Sequence, residues 1–242
     1  ALVIDRSMVD IYIERGNINK NAGRFEDALK EYNIAALIKP ELWLSHYKSG
    51  VALYYLTRLD EAEAAFLKAE ELQPENGSTY HFLGIISLAK DKNKEAENLL
   101  LKAAELEGVS ADVWFHLGEA QMRLGQWKNA EKSLLQSYNL DSYNAESLYS
   151  LGQVYKKRGK LDKSLEYLNK FKEIEEFGRK TESLNKIIRL HPDDLTLRLE
   201  LATLYEDQKR IDQAVMILHQ AAYLGSMEAE KKLKILLEKN HP

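Results

Sequence analysis

Few residues in this chain could do chemistry, and their spacing does not favour it. Six histidines and no cysteine occur in 242 residues. Thiolate nucleophiles, disulfides and cysteine-held metals are therefore excluded. His46, His81 and His116 recur every 35 residues, which places them on three successive helices. Neighbouring helix axes lie about 8–10 Å apart, and zinc needs each ligand nitrogen within about 2 Å. Three histidines that rotate by one residue per helix are expected not to converge, and read as scattered surface or packing residues. His191, His219 and His241 form no HxxxH or HExxH pattern. The acidic pairs Glu61/Glu63, Glu70/Glu71 and Glu175/Glu176 read as solvated helix faces. The run Lys156-Lys157-Arg158-Gly159-Lys160 reads as a helix end, where cations offset the helix dipole; a phosphate-binding patch is the alternative. There is no glycine-rich phosphate loop and no Gly-x-Ser-x-Gly elbow. No metal, cofactor or catalytic residue is expected, and the chain reads as a non-enzyme.

Composition points to helices as the elements that position everything else. Hydrophobic residues make up 45% and charged residues 30%, enough for a substantial core beneath long solvated faces. Only 4 prolines and 12 glycines leave little room for irregular structure. The formal charge of −4 gives no electrostatic footprint for nucleic acid. No apolar run approaches the roughly 20 residues of a membrane-spanning helix, so direct membrane insertion is not expected. The Ala1-Leu-Val-Ile start lacks the basic leader and long apolar core of a signal peptide. The first residue is Ala rather than Met, so a processed or excised piece is expected, with room for a lost leader or anchor. The compartment is left open: cytoplasmic is the default, and periplasmic or membrane-associated would follow from a removed leader or anchor.

The helices are repeated. Aligning on Trp114-x-x-Leu117-Gly118 gives Tyr80-x-x-Leu83-Gly84, His46-x-x-Ser49-Gly50 and Tyr12-x-x-Arg15-Gly16 at successive 34-residue steps back, and Leu148-x-x-Leu151-Gly152 one step forward. Three more registers follow: Ala28, Ala62, Ala96, Ala130 and Ser164; Tyr32, Phe66, Leu100, Leu134 and Leu168; Ala35, Ala69, Ala103, Ser137 and Phe171. A glycine inside a helix costs roughly 0.5–1 kcal/mol relative to alanine. Five in register imply that backbones approach closely there, with the bulky residue of the next helix filling the space beside them. Gly23, Gly125 and Gly159 fall between paired helices, where a positive φ is commonly needed. Pro40 and Pro74 are placed to end second helices.

These positions resemble the tetratricopeptide repeat family, a 34-residue helix-turn-helix unit with the pattern Trp-x2-Leu-Gly-x2-Tyr, Ala-x3-Phe, then Pro. Pro40 and Pro74 stand in the closing Pro place, and Tyr155 and Tyr205 in the Tyr place. The resemblance covers about residues 9–176 and 195–226. It implies an all-α fold: a right-handed superhelical array of helix-turn-helix repeats with a C-terminal capping helix. The expected organisation is a single array over 1–242. Its repeats are 9–42, 43–76, 77–110, 111–144 and 145–176, followed by an irregular or interrupted segment 177–194, a repeat 195–226 and a capping helix 227–242. Asp5 or Ser7 would cap the first helix, and Asn76-Gly77 and Gly108 would form joints. Between 179 and 195 the register carries 16 surplus residues. The helix from Leu161 runs on, or an extra helix is inserted, or a segment is absent between Glu176 and Phe177; a break or missing segment near 172–180 is the favoured expectation. In the last helix Ala229, Leu233, Leu236 and Leu237 share one face. A cap over the end of the array is expected, with a basic membrane-surface or partner helix as the alternative.

The resemblance also implies where a partner would bind. In this family the first helices line a concave groove, and the residue after the Trp114 place points into it. That column reads Ile13, Tyr47, His81, Phe115 and Tyr149. Four residues on it reads Asn17, Val51, Ile85, Glu119 and Gln153, and three further on Lys20, Tyr54, Leu88, Met122 and Lys156. The middle is aromatic and aliphatic and the ends are polar, so Tyr47, Val51, Tyr54, His81, Ile85, Leu88, Phe115, Met122 and Tyr149 are the candidate contacts. Chaperone-binding members hold a terminal carboxylate with lysines, an arginine and asparagines on first helices. Here Asn17 matches, but Ile13 stands in a Lys place and Lys48 in an Asn place, so chaperone-tail binding is not expected from the first three repeats. The expected function is a non-catalytic interaction scaffold whose groove binds an apolar, aromatic-rich peptide or helix of a protein partner. The alternative is a self-associating structural subunit that oligomerises through its end helices.

Overall fold

The computed structural model describes residues 6–106 and 110–240. Asp5, Gly108 and His241 lie outside the described residues. Among the described residues there are thirteen helices and no strand: α1 (Arg6–Asn21), α2 (Phe25–Ile38), α3 (Trp43–Tyr55), α4 (Leu59–Leu72), α5 (Gly77–Ala89), α6 (Asn93–Leu106), α7 (Ala111–Arg123), α8 (Trp127–Leu140), α9 (Ala145–Lys157), α10 (Leu161–Leu190), α11 (Leu195–Asp207), α12 (Ile211–Tyr223) and α13 (Met227–Asn240). The fold is an all-α solenoid of repeated helix pairs. Where a single array was expected, the helices group into two compact units, Ala1–Leu168 and Asn169–Pro242.

In the first unit each pair closes through one small residue and one large one. A Cβ added to Gly118 would lie 2.6 Å from Leu134 Cγ, and one added to Gly50 would lie 2.9 Å from the Phe66 ring. Real carbon contacts do not come that close, so only glycine lets α7 and α8, or α3 and α4, cross at this distance. Tyr32, Phe66, Leu100 and Leu134 are fully buried beside these crossings, as are Ala28, Ala62, Ala96 and Ala130. The tight turns between paired helices need one left-handed residue. Gly23, Gly125 and Gly159 supply it at φ 72°, 71° and 74°, while Thr57 and Asp91 adopt it at 59° and 57°. The first helices α5 and α9 start at side-chain caps: Asn76 Oδ1 accepts from Thr79 N at 2.8 Å and Asn144 Oδ1 from Ser147 N at 2.7 Å. Pro40 and Pro74 each stand two residues beyond a second helix. Since α1 begins at Arg6, Ser7 is inside the helix and is not its cap.

The expected break near 172–180 is absent: α10 is one helix of 30 residues. Gly178 is the only weak helix former in the stretch KFKEIEEFGRK, and its isolated cost of ~1 kcal/mol is smaller than what surrounds it. Lys180 Nζ pairs with Glu176 at 2.8 Å one turn away, and Thr181 Oγ1 donates to Gly178 O at 2.9 Å. In the second unit Phe177 is buried. Its ring stands edge-on to Tyr205 at 5.5 Å and beneath the Arg210 guanidinium at 4.7 Å. Leu184 joins Leu201, Ala214, Leu218 and Ala221 in that unit's core, and Ala229 and Leu236 of α13 close it. Ser226 Oγ accepts from Ala229 N at 3.2 Å at the start of α13.

Candidate functional site

The candidate contacts all sit on first helices: Tyr47, Val51 and Tyr54 on α3, His81, Ile85 and Leu88 on α5, Phe115 and Met122 on α7, and Tyr149 on α9. Spacings of four and seven residues put each set on one helix face. The structure divides them into three groups.

Tyr149 is the most open, at 47% exposure. Val51, Ile85, Phe115 and Met122 are half-buried. Leu88 does not belong to this surface: it is 3% exposed and packs with Ala96, Leu100, Leu117 and Ala120. The reason is its place one turn before the α5–α6 turn, where the next repeat's α7 closes over it. Ile13, first in the column of Tyr47 and His81, is also core, at 6%.

Tyr47 and Tyr54 are half-buried in a continuous aromatic network. Tyr47 meets Trp43 at 5.9 Å, Phe66 at 5.8 Å and Phe82 at 6.0 Å. Phe82 stacks on Phe66 at 5.0 Å and meets Tyr54 at 5.4 Å. Tyr54 meets Tyr55, which stacks on Phe25 at 4.8 Å. Burial raises the Tyr54 phenol above its ordinary value, so it stays neutral at physiological pH. Each such ring pair contributes about 0.5–1.5 kcal/mol beyond area burial, so this part of the face is held rigid. Phe82, Tyr55 and Phe25 were missed by the column reading. Phe82 follows His81 and Tyr55 follows Tyr54, one residue off the columns; reading the flanking position of each helix would have found both.

The histidines correct a second expectation. His81 Nε2 lies 3.0 Å from His116 Nδ1, with ring centroids 5.0 Å apart. Two of the three histidines therefore converge. The same 35-residue step separates His46 from His81, so the spacing alone does not bring the rings together. His46 turns away and bonds Pro40 O at 2.8 Å. Burial, then the neighbouring His116, lowers the His81 pKa to about 4. Among the described residues no group of three or more His, Asp or Glu side chains is arranged to hold a metal ion.

The polar N-terminal end of the face is self-satisfied. Asn17 Oδ1 accepts from Lys48 Nζ at 2.9 Å and from the Tyr32 hydroxyl at 3.1 Å, while Asn17 Nδ2 donates to Glu14 at 3.2 Å. Burial lowers the Lys48 pKa and raises that of Tyr32 to about 12. Lys48 and Asn17 are thus engaged with each other. No helix among the described residues is long and apolar enough to cross a membrane.

The profile described as "Tetratricopeptide repeat" matches residues 13–77 and 83–145, more than half of the chain, and a second profile of the same description matches 145–177. No curated protein matches the sequence. Among solved structures, MamA is 22% identical with a TM-score of 0.61, over 68% of this chain and 96% of MamA. MamA 41-end from Desulfovibrio magneticus RS-1 is 20% identical with a TM-score of 0.64, over 70% of this chain and 96% of that one. At these identities the likeness is one of fold. YrrB, a TPR protein with an unusual peptide-binding site, is 25% identical with a TM-score of 0.58, over 67% of this chain and 84% of YrrB.

Proposed function

Because the chain belongs to the tetratricopeptide repeat family, a fold used for protein interaction, we propose that it is a non-catalytic scaffold whose first-helix face binds an apolar or aromatic peptide or helix of a partner protein. The supporting observation is the rigid, half-exposed aromatic surface of α3 and α5 that continues through Phe115 and Met122 to the open Tyr149. Such a surface offers area without further ordering cost, because its rings are already fixed by one another. Tyr47 and Tyr54 supply packed walls, Val51 and Ile85 the aliphatic floor, and Phe115, Met122 and Tyr149 the accessible contacts, with His81 at the edge. The likeness to YrrB adds that one fold relative carries a peptide-binding site.

Phe115→Ala/Tyr149→Ala is the informative variant, because Tyr149 is exposed and the Phe115 ring meets His116 at 5.1 Å rather than Tyr47 or Tyr54; circular dichroism checks that the fold is intact. A partner recovered by pull-down with the wild-type protein should bind the variant about tenfold or more weakly, with little dependence on salt. Undiminished affinity in a variant of unchanged helicity would exclude this face.

A second reading, self-association through an end helix, is favoured by α1. Its Ile11 and Ile18 are 55% and 62% exposed, although the residues in the same register of the following repeats are buried.

A further inference from the structure

The turn joining α7 to α8, with the end of α9 beside it, forms an open cleft of about 670 Å³ lined by Gly125, Gln126, Trp127, Lys128, Asn129, Lys157 and Arg158. It lies apart from the aromatic face and takes no part in the reading above. Its charge differs from that of the two preceding turns. At the α3–α4 turn Arg58 is neutralised by Glu61 at 2.6 Å and Glu26 at 3.7 Å. At the α5–α6 turn Lys90 pairs with Glu63 at 2.7 Å and with Asp60, and Lys92 with Glu95 at 3.5 Å. The second helices α2, α4, α6 and α10 each begin with acidic residues, whereas the first turn of α8 has none.

Among the described residues the carboxylate paired with the cations here is Glu131, shared by Arg158 and by Lys160 at 3.4 Å. Among the described residues neither Lys128 nor Lys157 has a carboxylate partner; Lys157 Nζ stands 5.9 Å from the Trp127 ring instead. Crowding shows in Lys160, whose pKa is lowered by burial and then by the nearby Arg158 and Lys163 charges. In a chain of net charge −4, this is a local excess of positive charge around an indole.

We propose that this cleft binds an acidic segment of a partner protein, with carboxylates on Lys128 and Lys157 and an apolar side chain on Trp127. The charge excess fits anions, and the indole gives one apolar contact between them. A single indole provides no track for successive bases, and the patch spans one step between repeats, so a short acidic peptide fits it better than nucleic acid.

The test is fluorescence anisotropy with a labelled Glu/Asp-rich peptide carrying one central Leu. Its controls are the Gln/Asn analogue of that peptide and a labelled single-stranded oligonucleotide. The acidic peptide should bind, its neutral analogue should not, and binding should fade by about 0.5 M salt. Lys128→Glu/Lys157→Glu should weaken it about tenfold or more. Lys30→Glu/Lys68→Glu, which makes the same change in net charge elsewhere, should leave it unchanged. All four lysines are exposed, and circular dichroism checks the fold of each variant. Equal binding of the neutral peptide, or equal loss in both variants, would overturn the proposal. Tighter binding of the oligonucleotide than of the peptide would overturn it in favour of nucleic acid.

Discussion

His116 Nδ1 lies 2.7 Å from the Asp112 carbonyl oxygen and 3.0 Å from His81 Nε2. A carbonyl can only accept, so the Asp112 contact puts the proton on His116 Nδ1, and that one N–H is shared between the carbonyl and His81 Nε2. His81 is therefore held neutral by its partner as well as by burial, and its pKa of about 4 lies below the ordinary 6.5. The sign follows. Above pH 6.5 both folded and unfolded chains hold His81 neutral, and its contribution is complete. As pH falls from about 6.5 to about 4, the unfolded chain takes a proton that the folded chain refuses, and stability is lost. Below about 4 the folded chain protonates too and the loss stops, at about 3 kcal/mol in total. Urea unfolding at a series of pH values should show this decline in the wild-type protein. His81→Gln, which keeps an acceptor without titrating, should flatten it by about that amount. An identical pH slope in both proteins would place the loss elsewhere. The 35-residue spacing marks these histidines in the sequence, but it does not reveal that two of the three rings meet while the third turns away.

Helix pairs are joined by a turn that requires one residue in the left-handed region, and the repeats differ in what fills it. Gly23, Gly125 and Gly159 adopt it without a Cβ, whereas Thr57 does so at φ 59° with a branched one. L-residues other than glycine pay about 1–2 kcal/mol there, offset in part by the greater freedom of an unfolded glycine. Thr57→Gly should therefore stabilise the protein by about 0.5–1 kcal/mol, and Gly125→Ala should destabilise it by about 1 kcal/mol. Chemical denaturation checks both; a Thr57→Gly protein less stable than wild type would mean that the threonine side chain contributes what the φ angle does not reveal. The spacing of Gly118 and Leu134 made the helix crossings legible because packing of that kind is local and repeats. The continuity of α10 was not legible. The period fails there, Gly178 imitates a stop, and what carries the helix through is the burial of Phe177 against Tyr205 and Arg210, residues far along the chain.

In a solenoid every repeat buries a face against its predecessor, so the first repeat shows what that face would do uncovered. The column of Ile11 continues as Ser45, Thr79, Val113 and Ser147, and that of Ile18 as Ala52, Ile86, Ala120 and Val154; all eight of these are buried. Ile11 and Ile18 are more than half exposed, and Met8 on the same side is 46% exposed. The last helix of the second unit is mixed: Glu230 and Lys234 of α13 are exposed, and so are Met227 and Ile235. Two exposed isoleucines on one face of α1 suit a cover, whether a preceding segment or a second copy, and a solution of this chain alone tests the second copy. One helix face buries less than the ~1,200 Å² of a standard interface, so the association should be weak and concentration-dependent. Light scattering over a dilution series should show a mass rising toward the dimer. Ile11→Glu/Ile18→Glu, which alters only exposed positions, should hold the mass at that of the monomer with helicity unchanged. A wild-type protein that stays monomeric throughout would exclude pairing through α1. A dimer lost in Phe115→Ala/Tyr149→Ala but kept in the isoleucine variant would move self-association to the aromatic face, and the two readings of the molecule would then share one surface.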